Sequence, residues 1–245
     1  MDDAEFAEAK AEAIRAFDAK EFEDRVDSTT PPGLTERKAN VFTASLYGNH
    51  RDTIGGGGLN RFSLAASAGD IDIITAAALA ADQATARSNG SFNKLAFYGS
   101  RLQTVTDRLF LYAAINGQFA SKNLDISEKM GLGGMYGVRA YPTGEAYGDE
   151  GYLVNLEARY RLGQLGPGQV HLIGFVDTGR VTIDKNPWTA GNNHRSLSAA
   201  GIGLTWAEVG NFSLSMYWAH KLGNAVATSA PDKSSRFWIQ GIKYF

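Results

Sequence analysis

Residues able to do chemistry are few in this sequence and lie far apart. The run from Phe175 to Gly179 reads Phe-Val-Asp-Thr-Gly, the pattern around the catalytic aspartate of aspartic proteases, but Arg180 follows where Ser or Ala is usual. That chemistry also needs a second such aspartate, because two carboxylates must share a proton. No cysteine is present, and the four histidines are scattered: His50, His171, His194 and His220. The sequence therefore predicts no enzyme, no metal site and no cofactor.

Charge and glycine content argue against phosphate and nucleic-acid partners. The 245 residues include 24 Lys and Arg against 26 Asp and Glu, a formal net charge of -2. Nucleic-acid-binding proteins use a basic surplus that is absent here. The four glycines Gly55 to Gly58 are not followed by Lys-Ser or Lys-Thr, so we interpret them as a flexible turn and not as a phosphate loop. We interpret the acidic pair Asp149-Glu150 as solvated loop charge.

Hydropathy argues against membrane-spanning helices. Mean hydropathy is -0.23, and no stretch approaches the roughly 18 consecutive apolar residues that such a helix needs. The first five residues, Met-Asp-Asp-Ala-Glu, lack a basic region and an apolar region, so no signal peptide is predicted in this chain.

The strongest pattern is an alternation of apolar and polar residues. Between Tyr152 and Leu162 every even-numbered residue is apolar, whereas the odd-numbered ones include Asn155, Glu157 and Arg159. A period of two predicts a strand with one apolar and one polar face. Ten segments have this character: 18–27, 37–48, 59–69, 91–103, 107–121, 151–162, 169–181, 197–207, 211–222 and 235–245. Most are about 10–13 residues long, whereas strands of globular proteins average about 5–6.

Length, aromatic residues and connections separate two β-rich folds. A soluble β-sandwich buries its apolar faces between sheets, whereas an outer-membrane barrel turns its apolar face to lipid. Tyr152 and Tyr160 share a face and lie about 20 Å apart along the membrane normal, at ~3.3 Å per residue and ~40° tilt, which suits two interfacial aromatic belts. Connections alternate between short ones (104–106, 163–168 and 208–210) and long ones (70–90, 122–150, 182–196 and 223–234).

These features together predict an all-β fold, a transmembrane antiparallel β-barrel. The chain ends in a strand that finishes with Tyr244 and Phe245, as terminal strands of such barrels do. Short turns are periplasmic and long loops extracellular in these proteins. We therefore expect a periplasmic C-terminus, and a loop 122–150 that is extracellular or folds back into the lumen.

Two segments predict helix instead of strand. Residues 3–19 are rich in Ala, Glu and Lys, and Phe6, Ile14 and Phe17 can form one apolar stripe, so a short N-terminal helix is expected. Residues 74–87 are rich in Ala and end before Ser-Asn-Gly, which predicts a second helix in an outer loop.

Six separated motifs occur in the order typical of one family. They occupy residues 122–134, 137–146, 148–153, 174–181, 185–188 and 228–237. The chain, from about Phe17 to Phe245, resembles the haemolysin secretion/activation family of two-partner secretion transporters. The resemblance implies an outer-membrane barrel that exports one large haemolysin-like or filamentous-haemagglutinin-like exoprotein from the periplasm to the cell surface. The implied partners are that exoprotein and the lipid bilayer.

The resemblance also implies how the chain is organised. Family barrels have sixteen strands, preceded by two small periplasmic domains, a plug helix and a signal peptide. About ten strands are visible here, so residues 20–245 are expected to form the C-terminal part of such a barrel. Residues 1–19 are expected to be a helical segment outside the family pattern.

A site is implied as well. In the family, a Val-Arg-Gly-Tyr tip on the long loop tucks into the barrel, and its arginine pairs with the aspartate of a Phe-x-Asp-x-Gly strand. The matching residues are Val138, Arg139 and Tyr141 in the loop, with Ala140 in place of the usual glycine, and Phe175, Asp177 and Gly179 in the strand. Alternation along 169–181 independently directs Asp177 inward. Without the family pattern, Arg139 would be interpreted as a solvated loop charge.

Three other interpretations remain open at this point. An autotransporter translocator has a helix that threads a barrel of about twelve strands, and it predicts that Arg139 and Asp177 lie far apart. A porin or an outer-membrane enzyme would show a constriction ring or a catalytic cluster at its surface. A soluble β-sandwich would bury Tyr152, Val154 and Leu156 against a second sheet.

Overall fold

A ten-stranded antiparallel sheet makes up most of the molecule. The structure is a computed structural model, and it describes residues 10–26 and 33–244. The strands of this sheet are β1 (Lys10–Val26), β2 (Gly33–Asp52), β3 (Gly58–Ile73), β4 (Gly90–Thr104), β5 (Leu109–Ala120), β8 (Glu150–Leu165), β9 (Gly168–Thr182), β10 (His194–Glu208), β11 (Phe212–Lys221) and β12 (Ser235–Lys243). Each of the ten predicted segments overlaps one of these strands, which confirms the all-β prediction.

Strand order in the sheet follows chain order. The sequence of neighbours is β1-β2-β3-β4-β5-β8-β9-β10-β11-β12, and every pair is antiparallel. The first and last strands are the two edges, so the sheet is open over the residues that the structure describes. Two short strands, β6 (Met130–Gly131) and β7 (Tyr147–Gly148), pair with each other inside the connection between β5 and β8.

The two faces of the sheet differ as the alternation predicts. On β8, Tyr152 and Leu156 are 45% and 50% exposed on the outer face, whereas Leu153 is 3% exposed on the inner face. On β9, Val176 is 44% exposed and Asp177 is 0% exposed. A continuous apolar face of this kind is unfavourable in water but is stable against lipid. Over the described residues no second layer covers it, which contradicts the soluble β-sandwich and supports the barrel.

Connections at the two ends of the strands differ in length. Turns at one end are short, at residues 53–57, 105–108, 166–167 and 209–211. Loops at the other end are long, at residues 74–89, 121–149, 183–193 and 222–234. This alternation is the one expected of an outer-membrane barrel.

One of the two helix predictions is confirmed and the other is wrong where it can be checked. The helix α1 (Ala76–Ala84) lies within the predicted segment 74–87. The N-terminal prediction is wrong from Lys10 onward, because Lys10–Val26 is a strand paired residue by residue with β2. Pairing along a long sheet edge overrides the helix propensity of Ala and Glu. Residues 3–9 of that prediction lie outside the described residues.

Helices contribute little to the remaining structure. Two short 3-10 helices occur at Ile54–Gly56 and Ile126–Glu128. None of the helices among residues 10–26 and 33–244 is long and apolar enough to cross a bilayer.

The main apolar core lies on the inner face of the sheet. It is formed between the loop 121–149 and the strands β8 to β11, and it includes Leu132, Val138, Tyr141, Phe175, Val181 and Leu197. A smaller cluster lies on the inner face of β2 to β5, where Leu79 of α1 packs against it. The core is therefore built by a loop against the wall and not by two stacked sheets.

Candidate functional site

The loop of residues 121–149, named the inner loop below, folds back onto the sheet and forms a compact turn at its tip. Val138 N donates to Leu132 O at 2.7 Å, and Tyr141 N donates to Val138 O at 3.0 Å. Gly137 lies so close to the backbone that an added Cβ would stand 2.1 Å from Leu132 O. Only glycine allows this approach, so the backbone at Gly137 fixes the position of the residues that follow.

The tip carries an arginine that is bound to the wall in bidentate geometry. Arg139 Nη2 donates to Asp177 Oδ1 at 2.7 Å, and Arg139 Nε donates to Asp177 Oδ2 at 2.9 Å. The backbone N of Arg139 adds a third bond to Oδ2 at 3.1 Å. Arg139 is 3% exposed and Asp177 is 0% exposed. A planar guanidinium matches a carboxylate in this way, and an ammonium does not.

Further groups complete the surroundings of this ion pair. Arg139 Nη1 lies 2.8 Å from Glu157 Oε1, and the guanidinium stands 3.5 Å from the centroid of the Phe175 ring. Asn155 Nδ2 donates to Asp177 Oδ1 at 2.8 Å. Trp238 Nε1 donates to the carbonyl of Arg139 at 2.7 Å. Removing a charge from water costs several kcal/mol. That cost is offset here because the donors of Arg139 and the acceptors of Asp177 have hydrogen-bond partners.

The charges of the site form an alternating chain. Asp177 pairs with Arg139, Arg139 pairs with Glu157, and the remaining oxygen of Glu157 pairs with Arg159 at 2.7 Å. Two cations and two anions therefore neutralise one another. Arg159 is the more accessible end, with a side chain that is 32% exposed against 7% for Glu157.

The other residues predicted from the sequence lie around the same tip. Val138 and Tyr141 are both fully buried, and Tyr141 Oη donates to the carbonyl of Ala225 at 3.1 Å. An added Cβ at Gly179 would stand 2.8 Å from Leu132 Cδ2, so this glycine makes room for the loop. The structure thus brings together all six residues that the family pattern singles out.

Sequence reasoning missed several residues of the site. Asn155 and Glu157 could be assigned to the inner face of β8 by alternation, but only the register with β9 places Asn155 opposite Asp177 and Glu157 opposite Phe175. Trp238 lies on the last strand and reaches Arg139 across the sheet. No local signal in the sequence indicates either contact.

A second attachment holds the end of the inner loop. Glu145 is 0% exposed and accepts bonds at 2.8–2.9 Å from the backbone and hydroxyl groups of Thr228 and Ser229. Arg195 Nη2 lies 2.6 Å from its Oε1. Burial alone would raise the pKa of Glu145, but the hydrogen bonds from Ser229 and Thr228 outweigh burial and hold that pKa below its ordinary value.

A third attachment lies at the base of the loop, and it corrects one interpretation. Asp149 is not a solvated charge, because it is 0% exposed. It accepts from Leu124 N at 2.9 Å and from Lys185 N at 2.7 Å, and it pairs with Lys129 at 3.1 Å. Burial raises the pKa of Asp149 even though these donors oppose the rise. The sequence shows two adjacent acids but not that one of them turns inward.

The antiparallel wall is apolar on its outer face and binds a long loop on its inner face. These two features define the class of transmembrane barrels with an internal loop. A sequence model described as haemolysin secretion/activation protein ShlB/FhaC/HecB matches residues 34–206, more than half of the chain. The chain belongs to this family of two-partner secretion transporters.

Similar proteins agree with that assignment. The heme/hemopexin transporter protein HuxB of Haemophilus influenzae, in strain 86-028NP and in strain ATCC 51907, is 34% identical over 134 residues, which are 54% of this chain and 23% of HuxB. The structure of CdiB from Escherichia coli is 16% identical, with a TM-score of 0.58 over 96% of this chain and 51% of CdiB. This structural likeness shows the fold alone. The chain spans about a quarter of the length of the curated relatives it matches.

Proposed function

We propose that this chain is the C-terminal barrel part of an outer-membrane transporter that exports a large haemolysin-like or adhesin-like exoprotein to the cell surface. The observation that carries the proposal is the buried ion pair between Arg139 and Asp177, with atoms 2.7–2.9 Å apart, in a chain of the two-partner secretion family. An autotransporter-like barrel predicts that these two residues lie far apart, so the contact argues against it.

The proposed mechanism is conduction and not chemistry. A polar inner face offers an aqueous path to the backbone of an unfolded polypeptide, whose peptide groups are costly to place in lipid. The inner loop narrows and shapes that path because Arg139, Glu145 and Asp149 fix it at its tip, its end and its base. The apolar face of the wall is solvated by the hydrocarbon of the outer membrane. No catalytic residue and no cofactor are part of this proposal.

A polypeptide partner is supported by the description of the family model, which names a haemolysin secretion/activation protein. HuxB is named a heme/hemopexin transporter protein. For this chain we infer a single large exoprotein as the partner, together with the lipid bilayer and without nucleic acid.

Secretion by Asp177 variants of the full-length protein tests the proposal. In the Asp177→Ala variant Arg139 is left buried with one partner fewer, which costs on the order of 3–5 kcal/mol. We expect at least about a tenfold fall in exoprotein in the medium, while the amount of barrel in outer membranes stays close to normal. Immunoblots of both fractions measure this.

Two further variants make the result specific. Arg139→Lys keeps the charge but loses the fork, and we expect it to lower secretion as well. Asp72→Ala removes an exposed carboxylate at the end of β3 and is expected to secrete normally. Normal secretion by Asp177→Ala would refute the role of the pair.

A further inference from the structure

A second group of side chains lies on the inner face, closer to the short turns than Arg139. Arg159 and Arg161 are two residues apart on β8 and share the inner face, and His171 of β9 lies directly opposite Arg161. The ring of Phe110 on β5 stands 5.2 Å from the Arg161 guanidinium. We name Phe110, Arg159, Arg161 and His171 the basic rim.

The basic rim has more positive than negative charge. Arg159 is paired with Glu157, but Glu157 already serves Arg139. Among the residues that the structure describes, no carboxylate forms an ion pair with Arg161, and the Arg161 side chain is exposed. Arg139, Arg159 and Arg161 carry three positive charges, whereas Glu157 and Asp177 carry two negative charges. One positive charge is therefore left uncompensated. Because a wall of low dielectric focuses the field into the lumen, that charge attracts anions more strongly than it would on an open surface.

The basic rim also borders open space. A cavity of about 390 Å³ has these four residues, Thr205 and Tyr217 in its lining, together with the apolar side chains of Leu102 and Ile173. A second cavity, of about 210 Å³, lies between the tip of the inner loop and Arg159, and Tyr217 lines both. The two cavities are therefore neighbours on the inner face, one toward the short turns and the other beside Arg139. Aromatic rings alternate with cations along it, since the Tyr112 ring stands 4.4 Å from the Arg159 guanidinium.

We infer that the basic rim binds carboxylate side chains of the exported polypeptide, in an extended acidic segment that also places apolar side chains against Phe110 and Tyr217. This inference rests on the proposed function and names the chemistry of its substrate. The exposed fork of Arg161 would bind a carboxylate in two parallel hydrogen bonds, and the rings would accept the apolar side chains between successive acids. A lysine-rich segment would be repelled at the same place.

Peptide binding to the full-length protein in detergent micelles tests the inference. The probes are fluorescently labelled alternating Glu-Ala and Lys-Ala peptides of equal length, and fluorescence anisotropy measures their affinity. We expect the Glu-Ala peptide to bind, its binding to weaken as salt is raised, and the Lys-Ala peptide not to bind. Replacement Arg161→Gln is expected to weaken binding of the Glu-Ala peptide about tenfold, the loss typical of one charge-assisted contact.

Two variants serve as controls. Arg161→Lys keeps the charge without the planar fork. Its affinity for the Glu-Ala peptide is expected to lie between those of the parent and of Arg161→Gln. Arg61→Gln removes another exposed arginine. Arg61 lies on the inner face of β3, opposite in direction to Phe62 and Leu64, and β3 is three strands away from the strand of Arg161. We expect it to change the affinity less than twofold.

Equal binding of the two peptides would overturn the inference. An Arg161→Gln variant that binds like the parent, or an equal loss of affinity in Arg61→Gln, would overturn it too. Competition by free acetate as effective as that by unlabelled peptide would mean a small-anion site and would overturn it as well. Secretion of the exoprotein by the unmodified protein is measured separately. A protein that secretes normally but fails the peptide test refutes only the inference, whereas absent secretion refutes the proposed function.

Discussion

At the scale of single residues, buried charge explains why the inner loop stays in place. Arg139, Glu145 and Asp149 are at most 3% exposed, and each has several partners from other parts of the chain. A buried ion that loses its partner is far less favourable than one that keeps it. Each attachment is therefore either fully formed or fully broken, and the loop has few intermediate positions available.

Glu145 should give this attachment a pH dependence. Its pKa is held below the ordinary 4.5 in the folded protein, so the carboxylate stabilises the fold above the ordinary value. This contribution is lost as pH falls through the lowered pKa. We expect Glu145→Gln to lower the free energy of unfolding by about 2–3 kcal/mol at pH 7, because hydrogen bonds to a charged group are lost.

The difference in unfolding free energy between Glu145→Gln and the parent should shrink as the pH falls below the ordinary value of 4.5 and through the lowered pKa of Glu145. Urea unfolding in detergent, followed by tryptophan fluorescence at several pH values, measures it. Glu21→Gln is the control, since Glu21 is exposed and its ion pair with Lys38 is screened by solvent and contributes little to stability. A difference that stays constant from pH 7 to pH 3 would contradict the assignment.

At the scale of elements, alternation in the sequence was enough to find the strands but not their contacts. Ten apolar-polar segments predicted ten strands, because one face of each strand meets lipid and the other meets the lumen. The same rule directed Asp177 inward. It could not predict the partners Asn155, Glu157 and Trp238, since these depend on strand register and on the path of a loop. The second half of the strand at Lys10–Val26 was predicted by the segment 18–27, but its first half was missed because the composition there favours helix until a sheet edge pairs with it.

Strand β9 has two glycines that together test how closely the inner loop packs against the wall. An added Cβ at Gly179 would meet Leu132 Cδ2 at 2.8 Å and Tyr152 O at 2.9 Å, whereas one at Gly174 would meet nothing within 4 Å. We expect Gly179→Ala to cost about 1–3 kcal/mol through overpacking and to expose the loop to trypsin at Lys129. Gly174→Ala should digest like the parent, and equal digestion of both variants would exclude a role for Gly179 in seating the loop.

At the scale of the whole molecule, the outer face determines where the protein is stable. Leu156 lies midway along β8 and is 50% exposed, and Leu165 lies at the turn and is 68% exposed. An arginine at the bilayer midplane of a barrel costs about 2–4 kcal/mol, whereas one near the interface costs about 0–1 kcal/mol. Leu156→Arg should therefore destabilise the inserted protein much more than Leu165→Arg.

Urea titration in lipid vesicles compares these two variants directly. The same comparison in detergent should show a smaller difference, because micelles deform around a charge more readily than a bilayer does. Equal losses for Leu156→Arg and Leu165→Arg in vesicles would mean that this face does not lie across a membrane.

The position of the main core has a consequence for anything that passes through. Leu132, Val138 and Tyr141 are buried only because the loop rests on the wall, so pulling the loop away would resemble local unfolding more than the swing of a hinge. Under the proposed function, the exported polypeptide shares the pore with the inner loop, which stays bound to the wall. The exported polypeptide then has to pass as one unfolded chain. A domain of it that folds in the periplasm would be stopped at the entrance of the pore.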